Sequence, residues 1–198
     1  TETWCQRLLE PLAKKLNLFA INGVVCDELG LIKSSRADLA FCTTNEIYQK
    51  SKNIKLIFEI KMSVVNNYEF ANGELKFIGD YKTHKALPSL TRSDSVLKAI
   101  GKAINIRLSC ESARSIPIVV LGNTHISENY LSKIDHLGRY GVLQKIISLN
   151  PHLNSAKNSP LNYFATPVNE NELYAMIENI LKQEIYYFSA MINKQKLG

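Results

Sequence analysis

The chain has 198 residues, 45% hydrophobic and 21% charged, a balance that excludes a disordered or fibrous polymer and suits one domain with a core of its own, spanning 1–198. Its formal net charge of +6 favours polyanions, nucleic acid first, as partners. No apolar run approaches the roughly 18 residues needed to cross a bilayer, and Cys5, Cys26, Cys42 and Cys110 form no CxxC pair, so the expectation is a cytoplasmic protein with free thiols and no membrane contact.

In "TWCQRLLEPLAKKL", Trp4, Leu8, Leu9, Leu12 and Leu16 recur at helical spacing, which predicts a first helix that Pro11 kinks or restarts. "LFAINGVVCDELGLI" mixes β-branched residues with Gly23 and Gly30, the pattern of an irregular strand and turn. "RADLAFCTT" and "IKLIFEIKMSVV" then read as strands joined by the polar "NEIYQKSKN". "YEF" and "ELKFIGDY" flank Asn72-Gly73, a pair that tolerates positive φ and predicts a projecting hairpin.

Ser93 is placed as the cap of a helix over "DSVLKAIGKAINIRLS", with Val96, Leu97, Ile100, Ala103, Ile104 and Leu108 as its apolar face. "IPIVVLGN" reads as a short buried strand, while "SENYLSKIDHL" and "GVLQKIISL" read as helical. After a polar loop over roughly 150–167, Asn169 and Glu172 resemble a capping box that starts a last helix with Leu173, Ile177, Ile180 and Leu181 inward. The expected fold is α/β: a central mixed sheet flanked by helices, with a projecting hairpin, a core over about 3–122 and a helical C-terminal part over about 123–198.

Side chains alternate along a strand, so Glu59 and Lys61 share one face while Phe58, Ile60 and Met62 share the other. Two opposite charges in an apolar strand are either a structural ion pair, costly to desolvate, or the lining of a cleft. Asp38 at the edge of the preceding strand can bring a second carboxylate to the same point. Converging hard oxygens suit Mg²⁺, and a neighbouring lysine can hold or deprotonate an attacking water.

The order of Asp38, then Glu59-Ile60-Lys61 on the next strand, then the helix from Ser93, resembles the PD-(D/E)XK nuclease superfamily, type II restriction endonucleases in particular. The resemblance spans about 3–122 and departs at Ala37, where the superfamily name expects proline. It implies a restriction-endonuclease-like core with Asp38 and Glu59 as Mg²⁺ ligands, the Ile60 carbonyl as a further ligand and Lys61 as the catalytic lysine. A third acid would come from Glu10 or Glu28, Glu28 being favoured by its proximity to the strands. The implied activity is sequence-specific hydrolysis of double-stranded DNA by a homodimer. A structure-selective repair or recombination nuclease of the same superfamily, and a nucleic-acid-binding module without catalysis, are the alternatives.

Ser95, Lys98, Lys102, Asn105 and Ser109 step by three and four along the predicted helix, opposite its apolar face. That face is either solvated or a track for phosphates, which Lys82, His84, Lys85 and Arg92 would extend. The hairpin, "NNYEFANG" and "NPHLNSAKNSP" are the candidates for base contacts. His84, His125, His136 and His152 lack zinc-site spacing, and the chain carries no P-loop, dinucleotide fingerprint or GxSxG elbow. Tyr186, Tyr187 and Phe188 suit either a dimer surface or core packing.

Overall fold

The computed structural model describes residues 1–80, 87–150 and 158–185. Helix α1 (Glu2–Lys15) leads into the antiparallel meander β1 (Phe19–Val24), β2 (Ala37–Cys42) and β3 (Ile54–Lys61). The hairpin β4 (Asn66–Ala71) and β5 (Glu74–Asp80) follows, then α2 (Ser93–Ser109) and β6 (Ile118–Gly122), which returns parallel to β3. Helix α3 (Glu128–Arg139), β7 (Lys145–Ser148), β8 (Phe164–Ala165) and α4 (Glu170–Lys182) complete the described elements. The six-stranded sheet runs β1-β2-β3-β6-β7-β8, mixed in direction, and β4-β5 form a separate pair.

Alternation along the strands fills two cores, one on each face of the sheet. On one face, Ala40, Ile57, Val120 and Ile146 pack with Val96, Ala99, Ala103 and Ile106 of α2 and Ile134 of α3. On the other, Leu39, Phe41, Leu56, Phe58, Ile60, Val119 and Leu121 pack with Cys5, Leu9 and Leu12 of α1 and Leu173, Ile177 and Ile180 of α4. Phe41 and Phe58 meet edge to face at 5.1 Å, and each such fully buried side chain contributes roughly 1.5–3 kcal/mol. Pro11 lies inside α1 without ending it, and Trp4, expected inward, is 54% exposed.

Several expectations need correction. "GVLQKIISL" contains β7, a strand rather than a helix, because both of its faces are covered and Ile146 and Ile147 fill opposite cores. The part beyond 123 is therefore not purely helical, since β7 and β8 extend the same sheet. Ser93 is the first residue of α2, with Arg92 as the flanking residue and no side-chain cap.

The buried stripe of α2 is Val96, Ala99, Ala103 and Ile106, together with Arg107, while Leu97 and Leu108 face solvent. Two apolar stripes at helical spacing overlap in this segment. The one with two alanines turns to the sheet, because small side chains permit close approach of helix to strand.

The N-terminus of α4 forms as expected: the Glu172 N–H donates to Asn169 Oδ1 at 2.9 Å, and Glu172 Oε2 accepts from the Val168 N–H at 2.8 Å. Asn72 and Gly73 take φ of 54° and 83°, as a tight hairpin turn requires. Cys5, Cys26, Cys42 and Cys110 are free thiols. Burial pushes Cys5 up to about 11 and Cys42 up to about 12. No helix among the described residues is long and apolar enough to cross a membrane.

Candidate active site

The register of β2 against β3 pairs Leu39 with Phe58, which in an antiparallel ladder sets Asp38 opposite Glu59. Leu39 and Phe58 point into the α1/α4 core, so Asp38 and Glu59 point to the α2 face, joined by Lys61 two residues on. The three residues singled out in the sequence thus meet at one end of β3. Glu59 is 5% exposed there. An unpaired carboxylate so placed would cost several kcal/mol.

Each oxygen of the pair has a defined neighbour. Asp38 Oδ2 accepts from the Ile60 N–H at 2.7 Å, fixing that carboxylate against the edge of β3. Glu59 Oε1 pairs with Lys61 Nζ. Lys102 Nζ reaches in from α2 to lie 2.6 Å from Glu59 Oε2 and 3.5 Å from Asp38 Oδ1, and it donates to the Arg36 carbonyl at 2.9 Å. Two carboxylates face two ammonium groups, so the cluster is balanced in charge.

These residues fit a hard cation. Glu59 Oε2 is buried and accepts no hydrogen bond, since Lys102 stands close but outside hydrogen-bond angles. Asp38 Oδ1 and Glu59 Oε2 converge on one point, and one or two carboxylates are what Mg²⁺ takes from protein, with water and phosphate completing the shell. The backbone contact observed at Ile60 is through its N–H.

Neither candidate for a third acid joins them. Glu28 sits beside the start of β3, where it accepts from the N–H of Ser51 at 2.9 Å and from the Ser51 hydroxyl. Five strand residues separate that end from Glu59, roughly 16 Å. Glu10 pairs with Lys14 at 2.7 Å on α1, across the sheet from α2. Among the described residues no group of three or more His, Cys, Asp or Glu side chains could hold a metal.

The expected phosphate track divides. Lys102 is only 20% exposed and belongs to the acid cluster rather than to an outer face. Arg92 binds Asp94 through two hydrogen bonds of 3.0 and 2.9 Å, and Lys98 lies 3.5 Å from the same carboxylate. Arg92 beside it holds the Asp94 carboxyl below the usual aspartate range. Ser95 is half-buried in the first turn of α2. Asn105 and Ser109 lie against Gly30, where φ is +67° and a Cβ would come within 2.9 Å of Ser109 Oγ, so they serve a packing contact at the far end of the helix. Lys82, His84, Lys85, His152, Tyr186, Tyr187 and Phe188 lie outside the described residues, as does most of "NPHLNSAKNSP".

A polar clamp at the same sheet edge was not foreseen. The Ser89 hydroxyl donates to the Lys61 carbonyl, and the Ser89 N–H donates to Ser63 Oγ at 2.8 Å. Asn123 receives the Ser63 N–H at 3.1 Å and donates to the Ser63 carbonyl at 2.7 Å. Ser89 holds a φ of 46°, uncommon for a residue with a side chain and typical of functional edges. Gly122, paired with Lys61, leaves room for Leu90, whose side chain a Cβ would overlap. The available signal was Gly122-Asn123 after a buried strand, because ligand sites in open α/β sheets gather beyond strand C-termini.

The hairpin is amphipathic. Its register pairs Tyr68 with Phe77 and Phe70 with Leu75, so these four side chains share one face, each more than half exposed, with Glu69 and Lys76 on the other. Such a face offers stacking and apolar contact more than hydrogen bonds to base edges. No protein-family model matches this chain, and no curated protein and no solved structure matches it either.

Proposed function

We propose that the protein is a Mg²⁺-dependent endonuclease of the restriction type, hydrolysing phosphodiester bonds of double-stranded DNA at a short sequence. The observation that carries this reading is the convergence of Asp38 and Glu59 from adjacent strands on a single ammonium, that of Lys102, with Lys61 beside them. The order α1, β1 to β3, α2, β6 fits the core that the PD-(D/E)XK resemblance implies.

In this reading Asp38 Oδ1 and Glu59 Oε2 would hold the metal. Such an ion would supply charge to offset that growing on phosphorus and to acidify a water. Lys61 Nζ, anchored by Glu59 Oε1, orients the attacking water for in-line displacement. The new P–O bond forms as the P–O3′ bond breaks, leaving a 5′-phosphate and a 3′-hydroxyl that takes up a proton. Arg36, Lys98 and Arg92 are exposed cations able to position phosphates. Four free thiols suit a reducing, cytoplasmic setting. A homodimer belongs to the same reading, supported by the uncovered aromatic face of the hairpin; a monomer in sedimentation equilibrium at assay concentrations would remove that part.

The balance of two lysines against two carboxylates favours one rival, a nucleic-acid-binding module in which the cluster is a structural ion network. Incubation of plasmid DNA with the protein and Mg²⁺ separates the two. Nicked or linear product is expected from the native chain and none from Asp38→Ala. Binding without any cutting, or cutting that survives Asp38→Ala, rejects the nuclease reading.

A further inference from the structure

Three oxygens surround the ammonium of Lys102: Glu59 Oε2 at 2.6 Å, the Arg36 carbonyl at 2.9 Å and Asp38 Oδ1 at 3.5 Å. The remaining oxygen of each carboxylate is taken, Asp38 Oδ2 by the Ile60 N–H and Glu59 Oε1 by Lys61. The oxygens left for a metal are therefore those that face Lys102. A divalent ion placed between them would stand against a like charge in a poorly solvated pocket, so ion and ammonium exclude each other. Lys102 can leave: its ammonium ends a flexible four-carbon stem, and the side chain keeps 20% of its surface in solvent.

We propose that Lys102 is the resident cation of the candidate metal site, displaced when a divalent ion binds and then paired with a phosphate of bound DNA. The inference rests on the nuclease reading and adds a coupling to it. By competing for Glu59 and Asp38, Lys102 keeps metal affinity low in the free protein. A phosphate that draws the ammonium away frees both carboxylates, and by reciprocity a bound metal strengthens the hold on DNA. Lys102 acts through the carboxylates and is a positioning residue. It also holds the two acids together against their mutual repulsion when no metal is present.

Calcium, which suits the same oxygens, serves as the probe in calorimetric titrations with and without a mixed-sequence DNA duplex. In the absence of DNA, Lys102→Met should bind Ca²⁺ roughly tenfold or more tightly than the native chain, and Lys102→Arg should match the native chain. DNA should raise the Ca²⁺ affinity of the native protein several-fold and that of Lys102→Met little. Should Lys102→Met fold poorly by circular dichroism, Lys102→Gln, which keeps a donor without the charge, gives the same readout. A Lys102→Met or Lys102→Gln protein that binds Ca²⁺ no more tightly than the native chain overturns the proposal. If Asp38→Asn still abolishes binding in that case, the metal site stands without it. Absence of Ca²⁺ binding in the native chain, every Lys102 variant and Asp38→Asn alike, with or without DNA, overturns the nuclease reading together with the proposal.

Discussion

A glutamate stands at each end of β3, Glu59 on the strand itself and Glu28 reaching Ser51 from the turn at 27–29, and the two differ in what answers them. At the Lys61 end, Glu59 is buried, shares its space with Asp38 and is met by two ammonium groups. At the Ile54 end, Glu28 is met by a hydroxyl and a backbone N–H of Ser51, whose Oγ also accepts from Ser112 at 3.0 Å. A groove of about 600 Å³ opens at this second end, lined by Lys52, Lys55, Ser115 and Pro117 among others. The groove is roomy, but the charged residues named in its lining are the two lysines, with no carboxylate, whereas the tight end sets two carboxylates against two ammonium groups. Room alone does not mark chemistry; carboxylates forced together, with their oxygens aimed at one point, do.

The sharpest way to break this contrast is to neutralise each glutamate in turn. Under the proposed function, Glu59→Gln should lower Mg²⁺-dependent cleavage by more than roughly a hundredfold, beyond the usual loss for groups one step removed from a metal. Glu28→Gln should leave cleavage within about twofold, since it lies roughly 16 Å away along the strand. Equal losses in a plasmid-nicking assay would erase the distinction between the two ends.

Arg107 tests whether the Ile54 end is structural. Its guanidinium is fully buried and donates to the carbonyls of Ala113 and Ile116 and to Gln144 Oε1 at 2.7 Å, tying the end of α2 to the starts of β6 and β7. Arg107→Met strands those acceptors, and about 3 kcal/mol or more of stability should be lost in urea unfolding. Activity per folded molecule should hold. A loss of metal binding without a loss of stability would contradict the division of labour.

The smallest effect concerns pH. The Ser51 hydroxyl, then its N–H, holds the Glu28 carboxyl below the usual glutamate range. The unfolded chain therefore takes up a proton at Glu28 at higher pH than the folded chain does. Stability from this contact is complete above the ordinary glutamate pKa and is lost as pH falls through the lowered folded value. The difference in urea midpoint between the native chain and Glu28→Gln should accordingly narrow between pH 7 and pH 3. A gap that stays constant over that range would mean that Glu28 gains nothing from Ser51 by being ionised.

Period-two alternation in "IKLIFEIKMSVV" and "RADLAF" was enough to put Asp38, Glu59 and Lys61 on strands, and Asn72-Gly73 was enough to place the hairpin turn, because both signals are local. Glu28 is not legible as remote from Asp38, because closeness in sequence to β2 says nothing about the chain turning back along the sheet to reach Ser51. The sequence pattern puts Lys102 on an outer track because Val96, Leu97, Ile100, Ala103, Ile104 and Leu108 read as the inward face, whereas the observed stripe is turned toward Ala99 and Ile106. Close packing against the sheet selects the smaller side chains instead.

The sequence by itself determined β1 to β6, helices α1 to α4, and the likeness of Asp38, Glu59 and Lys61 to a metal-dependent site, but neither β7 nor β8. Only the tertiary structure decided the rest: the register that sets Asp38 opposite Glu59, the rotation of α2 that delivers Lys102 between them, and the clamp of Ser63, Ser89 and Asn123. The physical reason is range. Alternation and turn chemistry act over a few neighbouring residues, whereas the charge around Glu59 is assembled from positions 36 to 102, which approach one another only when the sheet and α2 pack.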